Sequence, residues 1–384
     1  MRTQAAVCSG TDEAWEVVGV DIDPPGRREV QVQMAYAGMC HSDEHLRHGD
    51  LTPPPEVLEM LGVTSMFPVV GGHEGSGVVT AIGPEVTQVA VGDHVAVAFI
   101  PACGTCFWCA SGRQNLCDLG ITTLCGPMIS DGTWRYHLEG RDLNRMCQLG
   151  TFAETMVCHE ASLVRIDPGA DLRAAALISC GISTGFGAAV ERGRVRPGEV
   201  VVVVGCGGVG SGAIQGARLA GARYVVAVDP LDFKQESAMK IGATHAAASL
   251  DDALPVVAGL TEGRMADVVV LTPGTLTGDL LLPACSIASK DGRIVVTALA
   301  PFNQVDVKLN LFNVAMWNQA ILGTVFGSVS PRVQTPRLLS LHAQGLLHVD
   351  EMITREYDLA SVQEGYDDLR AGRNIRGVVR FGSH

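Results

Sequence analysis

The stretch VVVVVGCGGVGSGAIQGARLAGARYVVAVD, residues 200–229, decides the fold class. It begins with five valines, as in a strand buried on both faces, then turns through glycines and continues at helix length to a second apolar strand. Gly205, Gly207 and Gly210 form the pattern G-x-G-x-x-G in the strand, turn and helix context of dinucleotide-binding folds. Asp229 ends the second strand, where such folds place an acid on the cofactor ribose.

Each glycine has a physical role in this motif. Gly205 permits the tight turn, Gly207 lets a pyrophosphate approach the backbone, and Gly210 lets helix pack on strand. Gly208 and Val209 complete the segment, whose helix N-terminus attracts phosphates. Asp229 would repel a 2′-phosphate, which favours NAD over NADP, but an aspartate at a strand end can also be a helix cap. A glycine-rich turn that binds nothing is the alternative for the whole motif.

The hydrophobic pattern predicts where this domain begins and ends. Residues 17–35 and 76–98 show short β-branched runs broken by Pro-Gly and Gly-Asp, as in a mostly β domain. From about residue 184, near-continuous apolar strands alternate with helix-length segments, and they lie at 199–205, 223–229, 266–271, 292–299 and 320–327. We predict an α/β chain in which a doubly wound domain, 184–326, is inserted into a catalytic domain of residues 1–183 and 327–384, whose last strand rejoins the first domain.

Composition and charge exclude several classes of function. The 384 residues carry a net charge of −13 and no run of Lys or Arg, so nucleic acid and anionic membrane surfaces are not expected partners. No 18 consecutive residues are apolar and the N-terminus does not resemble a signal peptide, so we expect a cytoplasmic protein. In such a chain the 12 cysteines point to metal binding rather than to disulfides.

Four cysteines form one local motif. Cys103, Cys106, Cys109 and Cys117 stand in CGTCFWCASGRQNLC with the spacing C-x2-C-x2-C-x7-C. Four thiolates this close can enclose a tetrahedral structural zinc, and the alternative is that they hold an iron–sulfur cluster. The loop alone does not decide between the two metals.

Several motifs together resemble those of medium-chain, zinc-dependent alcohol dehydrogenases. They are GMCHSDEH (38–45), GGHEGSG (71–77), the four-cysteine loop, SCGISTGFGAA (179–189), VGCGGVG (204–210) and NIRGVVRF (374–381). Phrases such as ISDGTWRYH, LGTFAE and VDPLDFK are most similar to the bacterial subgroup assayed with a nitrosoaniline acceptor, in which NAD tends to stay bound. The resemblance implies a Rossmann domain inserted in a GroES-like catalytic domain, with zinc in the four-cysteine loop.

The resemblance also implies a second, catalytic zinc. Cys40, His73 and Cys180 match the three ligands, which leave the fourth position open to water or substrate. The zinc would lower the pKa of a bound alcohol, and hydride would pass from the alkoxide carbon to NAD. Glu74 matches a carboxylate that either ligates this metal transiently or lies beside its ligands, and Asp43 matches the residue that orients the ligand histidine.

Further residues are assigned by the same resemblance. Ser42 and a surface histidine, His45, match a proton relay from the buried alcohol to solvent. Contacts to the cofactor are implied for four more residues: His41 and Arg376 with the phosphates, Lys234 with the adenosine ribose, and Thr184 with the nicotinamide end. Each residue also has an alternative without a function: a loop hydroxyl for Ser42, a solvated side chain for His45, no specific contact for His41, and ordinary surface charge for Arg376 and Lys234.

The expected function is oxidation of a small alcohol to an aldehyde or ketone by an NAD-dependent enzyme with two zinc ions per chain. Alternatives are a formaldehyde or thiol-adduct dehydrogenase on the same scaffold and a non-catalytic NAD(H)-binding member of the superfamily. A homodimer or homotetramer is expected, with the apolar strand at 320–327 pairing across a two-fold axis. Residues 50–68 hold an insertion relative to many members of that family, and PPPEVLEM (53–60) within it predicts a proline-started short helix, either a lid or a surface elaboration. The sequence does not identify the alcohol.

Overall fold

The computed structural model describes residues 1–122 and 124–382. The chain divides into two compact units. The first comprises Met1–Cys180, Ser330–Val349 and Ile353–His384, and the second comprises Gly181–Val329 and Asp350–Met352. The predicted limits of the inserted domain, 184 and 326, lie within three residues of the main segment of the second unit, and as domain boundaries they stay a prediction.

Two sheets form the first unit. One has the strand order Arg141–Asp142, Tyr136–Leu138, Glu16–Ile22, Arg2–Cys8, Val69–Val70 and Asn144–Arg145. The other has the order Leu163–Arg165, His94–Val97, Ser76–Ile82, Glu29–Gly38, Arg376–Arg380 and Ile353–Tyr357, with Thr155–His159 also paired to Glu29–Gly38. This antiparallel-rich architecture confirms the mostly β character expected of the catalytic domain.

The strand Glu29–Gly38 is the centre of the second of these sheets. Val30, Val32 and Met34 are fully buried in the main core of the unit, as alternate positions of a strand with one face inward should be. Near its end the strand pairs antiparallel with the last strand of the chain, with Val378 opposite Gly38. The prediction that the C-terminal strand rejoins the first domain is therefore confirmed.

The helices of the first unit are short apart from one. The α-helices are His41–Arg47, Pro55–Met60, Phe107–Ala110, Leu172–Leu177, Pro331–Ala343 and Val362–Arg370. Turns of 3₁₀ helix occur at Gln114–Leu116, Asp118–Thr122, Met146–Gln148, Glu160–Ser162 and Leu359–Ser361. The predicted proline-started helix of the insertion is thus confirmed, and Leu58, Leu61, Val63 and Met66 from this segment are buried in the core of the unit.

The second unit contains one sheet in which every neighbouring pair is parallel. Its strand order is His245–Ala247, Tyr224–Val228, Val200–Val204, Ala266–Leu271, Ala288–Val296 and Ala320–Gly323. Numbered along the chain, this order is 3-2-1-4-5-6, the doubly wound arrangement of dinucleotide-binding folds. Alternate valines of Val200–Val204 enter two different cores, one on each face of the sheet, which explains the unbroken apolar run.

Helices cover this sheet. The α-helices are Ser183–Gly187, Gly208–Leu219, Asp232–Lys240, Leu250–Leu260, Leu281–Ile287 and Leu311–Met316, and 3₁₀ turns lie at Gly278–Leu280, Phe326–Ser328 and Asp350–Met352. Two π-helical segments, Ile178–Ile182 and Ala188–Arg192, interrupt the helical stretch Leu172–Arg192. That stretch has the length and composition of a membrane span, but 89% of its most apolar window is buried inside the protein, as in a core helix.

Candidate active site and dinucleotide site

Four buried side chains that are far apart in sequence meet in the first unit. One potential ligand atom each from Cys40, His73, Glu74 and Cys180 lies within 4.8 Å of the others. Cys40 is the residue before the helix His41–Arg47, and His73 and Glu74 follow the short strand Val69–Val70. Cys180 lies in the π-helical segment Ile178–Ile182, a wider turn of a kind often found at functional sites. The structure thus brings together the three ligands that the resemblance implied, with Glu74 beside them.

The donor set fits a zinc ion. A hydrogen bond from the Cys180 thiol lowers the pKa of Cys40 well below its usual value, and the same bond and burial raise the pKa of Cys180. The two sulfurs therefore share a proton that a divalent cation would displace. Two sulfurs that form no disulfide and one imidazole match the ligand set of a catalytic zinc site, in which one position stays open.

Asp43 holds the imidazole of His73. Its Oδ2 lies 3.1 Å from Nδ1 of His73, while its Oδ1 accepts a hydrogen bond of 2.7 Å from the backbone N–H of Gly72. Asp43 is fully buried, and with its charge close by the pKa of His73 is raised well above the usual value although burial opposes this. Since Nδ1 faces the carboxylate, Nε2 is left to face a metal. The ring of Phe99 packs edge-on against His73, with 5.8 Å between the centroids.

Glu74 and Arg376 form a buried ion pair beside the two cysteines. Nη2 of Arg376 donates to Oε2 of Glu74, and the two side chains are 3% and 0% exposed. Burial raises the pKa of Glu74 to about 7, although the Arg376 guanidinium works against this rise. The geometry supports a place for Glu74 next to the metal ligands. Arg376 is bound to the carboxylate of Glu74 in the structure. The contact of Arg376 with cofactor phosphates stays a prediction.

The proposed relay residues lie on the helix that follows Cys40. Ser42 and His45 are three residues apart on His41–Arg47 and therefore on one side of it, and Oγ of Ser42 lies 3.6 Å from Sγ of Cys40. One expectation is wrong: His45 is not a surface residue but is 5% exposed. The chain turns back after the helix, so that Asp50 covers the imidazole edge with a hydrogen bond of 2.8 Å to Nδ1. The sequence reasoning gave Asp50 no role.

The structure also explains two other residues near Cys40 that the sequence left without a role. Glu44 accepts two hydrogen bonds from the guanidinium of Arg47 and one from Arg370, and it is 4% exposed. His48 pairs through Nδ1 with Asp12. These contacts fix the helix to the start and the end of the first unit. His41 is half-buried at the first position of the helix, and its phosphate contact stays a prediction.

The four cysteines of the loop form a second cluster. Cys103, Cys106, Cys109 and Cys117 each offer a sulfur within 4.8 Å of the others. Backbone N–H groups point at three of the four sulfurs over distances of 3.3–3.4 Å. Burial opposes ionisation of Cys103, but the N–H groups of Cys106 and Thr105 lower its pKa to about 6. Burial raises the pKa of Cys109 to about 12 and also raises that of Cys117, so a metal ion would be needed to hold the four sulfurs together as thiolates. Four sulfurs from one loop fit a closed, structural metal site.

The glycine motif in the second unit has the geometry expected of it. Gly205 has φ +90°, and a Cβ there would lie 2.4 Å from the carbonyl oxygen of Thr272. A Cβ on Gly210 would lie 1.8 Å from the carbonyl oxygen of Gly205, so helix and strand approach as closely as predicted. A Cβ on Gly207 would meet nothing within 4 Å, and the helix Gly208–Leu219 begins without a side-chain cap. This open space before uncapped N–H groups is a cradle for phosphate.

Three other residues of the second unit are predicted to bind the cofactor: Asp229, Lys234 and Thr184. Asp229 is 5% exposed and accepts hydrogen bonds from the N–H groups of Cys206 and Leu231, so it caps the turn as well as ending the strand. Each carboxylate oxygen can accept a second bond, which leaves capacity for a ribose hydroxyl. Lys234 lies on the helix Asp232–Lys240. Oγ1 of Thr184 is buried without a hydrogen-bond partner among the residues that the structure describes.

Comparison with known proteins identifies the family. Residues 26–168 match the family described as "Alcohol dehydrogenase GroES-like domain", and residues 208–344 match "Zinc-binding dehydrogenase". The chain is 44% identical over 379 residues to the NDMA-dependent alcohol dehydrogenase of Amycolatopsis methanolica, with 99% of each chain covered. It is 43% identical over 381 residues to alcohol dehydrogenase B of Mycobacterium tuberculosis strain H37Rv, again with 99% of each covered.

The fold has a solved counterpart. The crystal structure of benzyl alcohol dehydrogenase from Acinetobacter calcoaceticus is similar with a TM-score of 0.86 and 26% identity, and 100% of both chains is covered. The resemblance to the nitrosoaniline-dependent subgroup is confirmed by the relative from Amycolatopsis methanolica. With its metal-ligand cluster and its parallel nucleotide-binding sheet, this chain belongs to the zinc-dependent alcohol dehydrogenases of the medium-chain family.

Proposed function

We propose that this alcohol dehydrogenase oxidises primary or simple secondary alcohols with NAD, using one catalytic and one structural zinc ion per chain. The main support for this proposal is the buried cluster of Cys40, His73, Glu74 and Cys180. Asp43 contacts the histidine of this cluster at Nδ1. The four sulfurs of the cysteine loop would hold the structural zinc. When bound, a catalytic zinc acts as a Lewis acid on an alcohol oxygen and so makes loss of its proton favourable near neutral pH.

The protein's own residues orient the ligands and remove the proton. Asp43 fixes the ring of His73, which directs Nε2 towards the metal position. Glu74, neutralised by Arg376, supplies a carboxylate beside the ligands without adding net charge to the site. Ser42, next to Cys40, would accept the alcohol proton while it releases its own hydroxyl proton, and His45 on the same side of the helix would carry that proton outward.

His45 can be tested separately. His45→Gln should slow turnover most at acidic to neutral pH, where hydroxide is scarce, and small exogenous bases should restore part of the rate. Turnover equal to that of the unaltered enzyme across this range would remove His45 from the relay.

NAD rather than NADP is proposed as the cofactor. The buried carboxylate of Asp229, which would repel a 2′-phosphate, supports this choice. The open space at Gly207 and the Thr184 hydroxyl, which has no hydrogen-bond partner among the described residues, support a dinucleotide of either kind. Lys234, His41 and Arg376 are proposed to assist at the ribose and phosphates. A higher kcat/KM with NADP than with NAD would contradict this assignment.

The identity with an NDMA-dependent relative supports a further proposal about turnover. We propose that NAD stays bound between turnovers and that an external acceptor reoxidises it, and the NDMA dependence of the Amycolatopsis methanolica enzyme supports the use of an external acceptor. Such a protein would work in the cytoplasm on small alcohols and aldehydes.

A homodimer, or a tetramer built from dimers, is proposed for the assembly. In the second unit, large apolar side chains are exposed between residues 299 and 316, with Val305 83% and Phe312 71% exposed. The strand Ala320–Gly323 lies at the edge of the parallel sheet. Exposed apolar surface and an open strand edge are features that association would cover. Light scattering that finds a monomer at micromolar concentration would contradict the proposal.

One experiment tests the main proposal. The purified protein is unfolded, and the released zinc and NAD(H) are measured per chain. The native protein is screened in parallel with alcohols and with the glutathione adduct of formaldehyde, using either free NAD or a nitrosoaniline acceptor. Two zinc ions, about one NAD and turnover of simple alcohols are expected. Preference for the thiol adduct would favour the formaldehyde dehydrogenase alternative, and absence of zinc would favour a non-catalytic nucleotide-binding protein.

A further inference from the structure

We infer that Asp50 is the outer end of the proton path, where it holds His45 and passes the proton from His45 to solvent. The inference rests on the proposed function, in which Ser42 and His45 carry the proton away from the substrate. Nδ1 of His45 and Oδ2 of Asp50 are 2.8 Å apart. The side chain of His45 is 6% exposed, whereas that of Asp50 is 30% exposed. A proton on the buried imidazole therefore has beside it a carboxylate that reaches water.

The local fold fixes Asp50 in this place. The helix His41–Arg47 ends at His48, and Gly49 follows with φ +79°, the left-handed conformation that stops a helix. The chain then reverses, and the N–H of Leu51 donates to the carbonyl of His45 over 3.4 Å. Asp50 is thus returned to the side chain five residues before it by the turn that ends the helix.

The other charged groups near this helix have different partners. They form three sets: Asp43 with His73, Glu44 with Arg47 and Arg370, and His48 with Asp12 and Glu44. Asp50 is the carboxylate that is hydrogen-bonded to Nδ1 of His45. The hydrogen bond between His45 and Asp50 is therefore a specific pair, because the neighbouring charged groups are bound to other partners.

The chemistry balances in single proton steps. Oxidation of an alcohol to an aldehyde or ketone releases one hydride and one proton. When His45 takes the proton on one ring nitrogen, its imidazolium also carries a proton on Nδ1, which faces Asp50. Transfer of that Nδ1 proton to the carboxylate restores a neutral imidazole. The carboxylic acid then gives the proton to water, because carboxylic acids in water ionise far below neutral pH.

The test measures formation of reduced nicotinamide in a single turnover by stopped flow, with the alcohol that the screen identifies. Asp50→Asn keeps an oxygen that accepts from Nδ1 but cannot take up a proton. It should slow the reaction about tenfold, less than full loss of a general base because His45 remains. Added phosphate at constant ionic strength should restore much of the rate, because it replaces the missing acceptor. Asp50→Glu, which retains a carboxylate, should recover most of the rate without phosphate.

Asp12→Asn is the matched control, because it removes the charge beside His48 at the end of the same helix but keeps an oxygen that accepts from Nδ1, so this contact of the helix is retained. It should leave the rate unchanged and independent of phosphate. An Asp50→Asn enzyme with the rate of the unaltered enzyme overturns the inference, as does a slow variant that phosphate does not accelerate. If His45→Gln reacts as fast as the unaltered enzyme, the relay itself fails and the role of Asp50 with it. If the unaltered enzyme oxidises no alcohol, the proposed function fails instead.

Discussion

A single methyl group at Gly207 should weaken NAD binding without weakening the fold. The Cβ of Gly207→Ala would meet nothing within 4 Å, and the backbone there is not left-handed. Alanine reduces the entropy of the unfolded chain, worth about 0.4–1 kcal/mol, but it is a poorer helix N-cap than glycine by a similar amount. The two effects nearly cancel, so the melting temperature should change by no more than about 3 °C.

The cofactor would be affected much more. The methyl group would occupy the space through which a pyrophosphate reaches the backbone N–H groups of the helix Gly208–Leu219. Overpacking of this kind costs about 1–3 kcal/mol, which corresponds to a loss of roughly 5- to 150-fold in affinity for NAD. The assays are the NAD content of the purified protein after unfolding and titration of protein from which NAD has been removed.

Gly205→Ala is the matched comparison. At φ +90° and with its Cβ 2.4 Å from a backbone oxygen, this alanine is strained by about 1–3 kcal/mol or more. At about 2–4 °C per kcal/mol, the melting temperature should fall by about 2–12 °C. If Gly207→Ala binds NAD as tightly as the unaltered protein does, the pyrophosphate does not approach the backbone here and the reasoning is refuted.

Three further perturbations have expected outcomes. Asp43→Asn should weaken binding of the catalytic zinc by about 10- to 100-fold, because the ring of His73 loses its orienting carboxylate; dialysis against graded chelator should then remove one zinc per chain and not two. Cys109→Ser should leave the protein with one zinc per chain and a lower melting temperature, and full zinc content would argue against a structural site at the four cysteines. Glu160 is fully buried, and although burial opposes it, the bonds from the N–H of Thr87, the side chain of Arg28 and the N–H of Gln88 lower its pKa. Its stabilisation is therefore present above the unfolded-state value of 4.5 and is lost as pH falls through the lower folded value, so Glu160→Gln should cost about 1.5–3 kcal/mol in urea unfolding at neutral pH and progressively less as pH is lowered below 4.5.

The parallel sheet was predictable because its strands are buried on both faces. The runs at 200–204, 224–228 and 266–271 are apolar for that reason. The glycine motif between the first two runs is typical of the doubly wound sheet that they form. The strand His245–Ala247 was not predicted, since it has only three residues, of which two are half-buried and one is a histidine. The edge strand ends at Gly323, four residues before the apolar run does, and Phe326 and Gly327 that follow have positive φ.

The two metal clusters differ in how far sequence spacing can predict them. Cys103, Cys106, Cys109 and Cys117 belong to one loop, so their spacing alone indicates a shared metal. Cys40, His73 and Cys180 come from a helix start, a segment after a strand and a π-helical turn. No spacing rule connects these elements, and the ligands were found through the resemblance, with the cluster itself given by the fold.

The helix that follows Cys40 shows why neighbouring charged residues were harder to interpret than the ligand. Seven residues are too few for a helix to be stable alone, so His41–Arg47 needs tertiary anchors to hold Cys40 at one end and His45 near the other. Glu44 supplies one anchor by binding Arg370, 326 positions away in the sequence, and such a partner cannot be read from the local pattern. Glu44 also pairs with Arg47, and because both of those side chains are buried, loss of Arg47 would cost about 3–5 kcal/mol. The Arg370 side chain is 37% exposed, so its pair with Glu44 is weaker. The charged residues around Cys40 therefore have a structural reason, because they fix the short helix on which the proposed ligand Cys40 and the proposed base His45 are positioned.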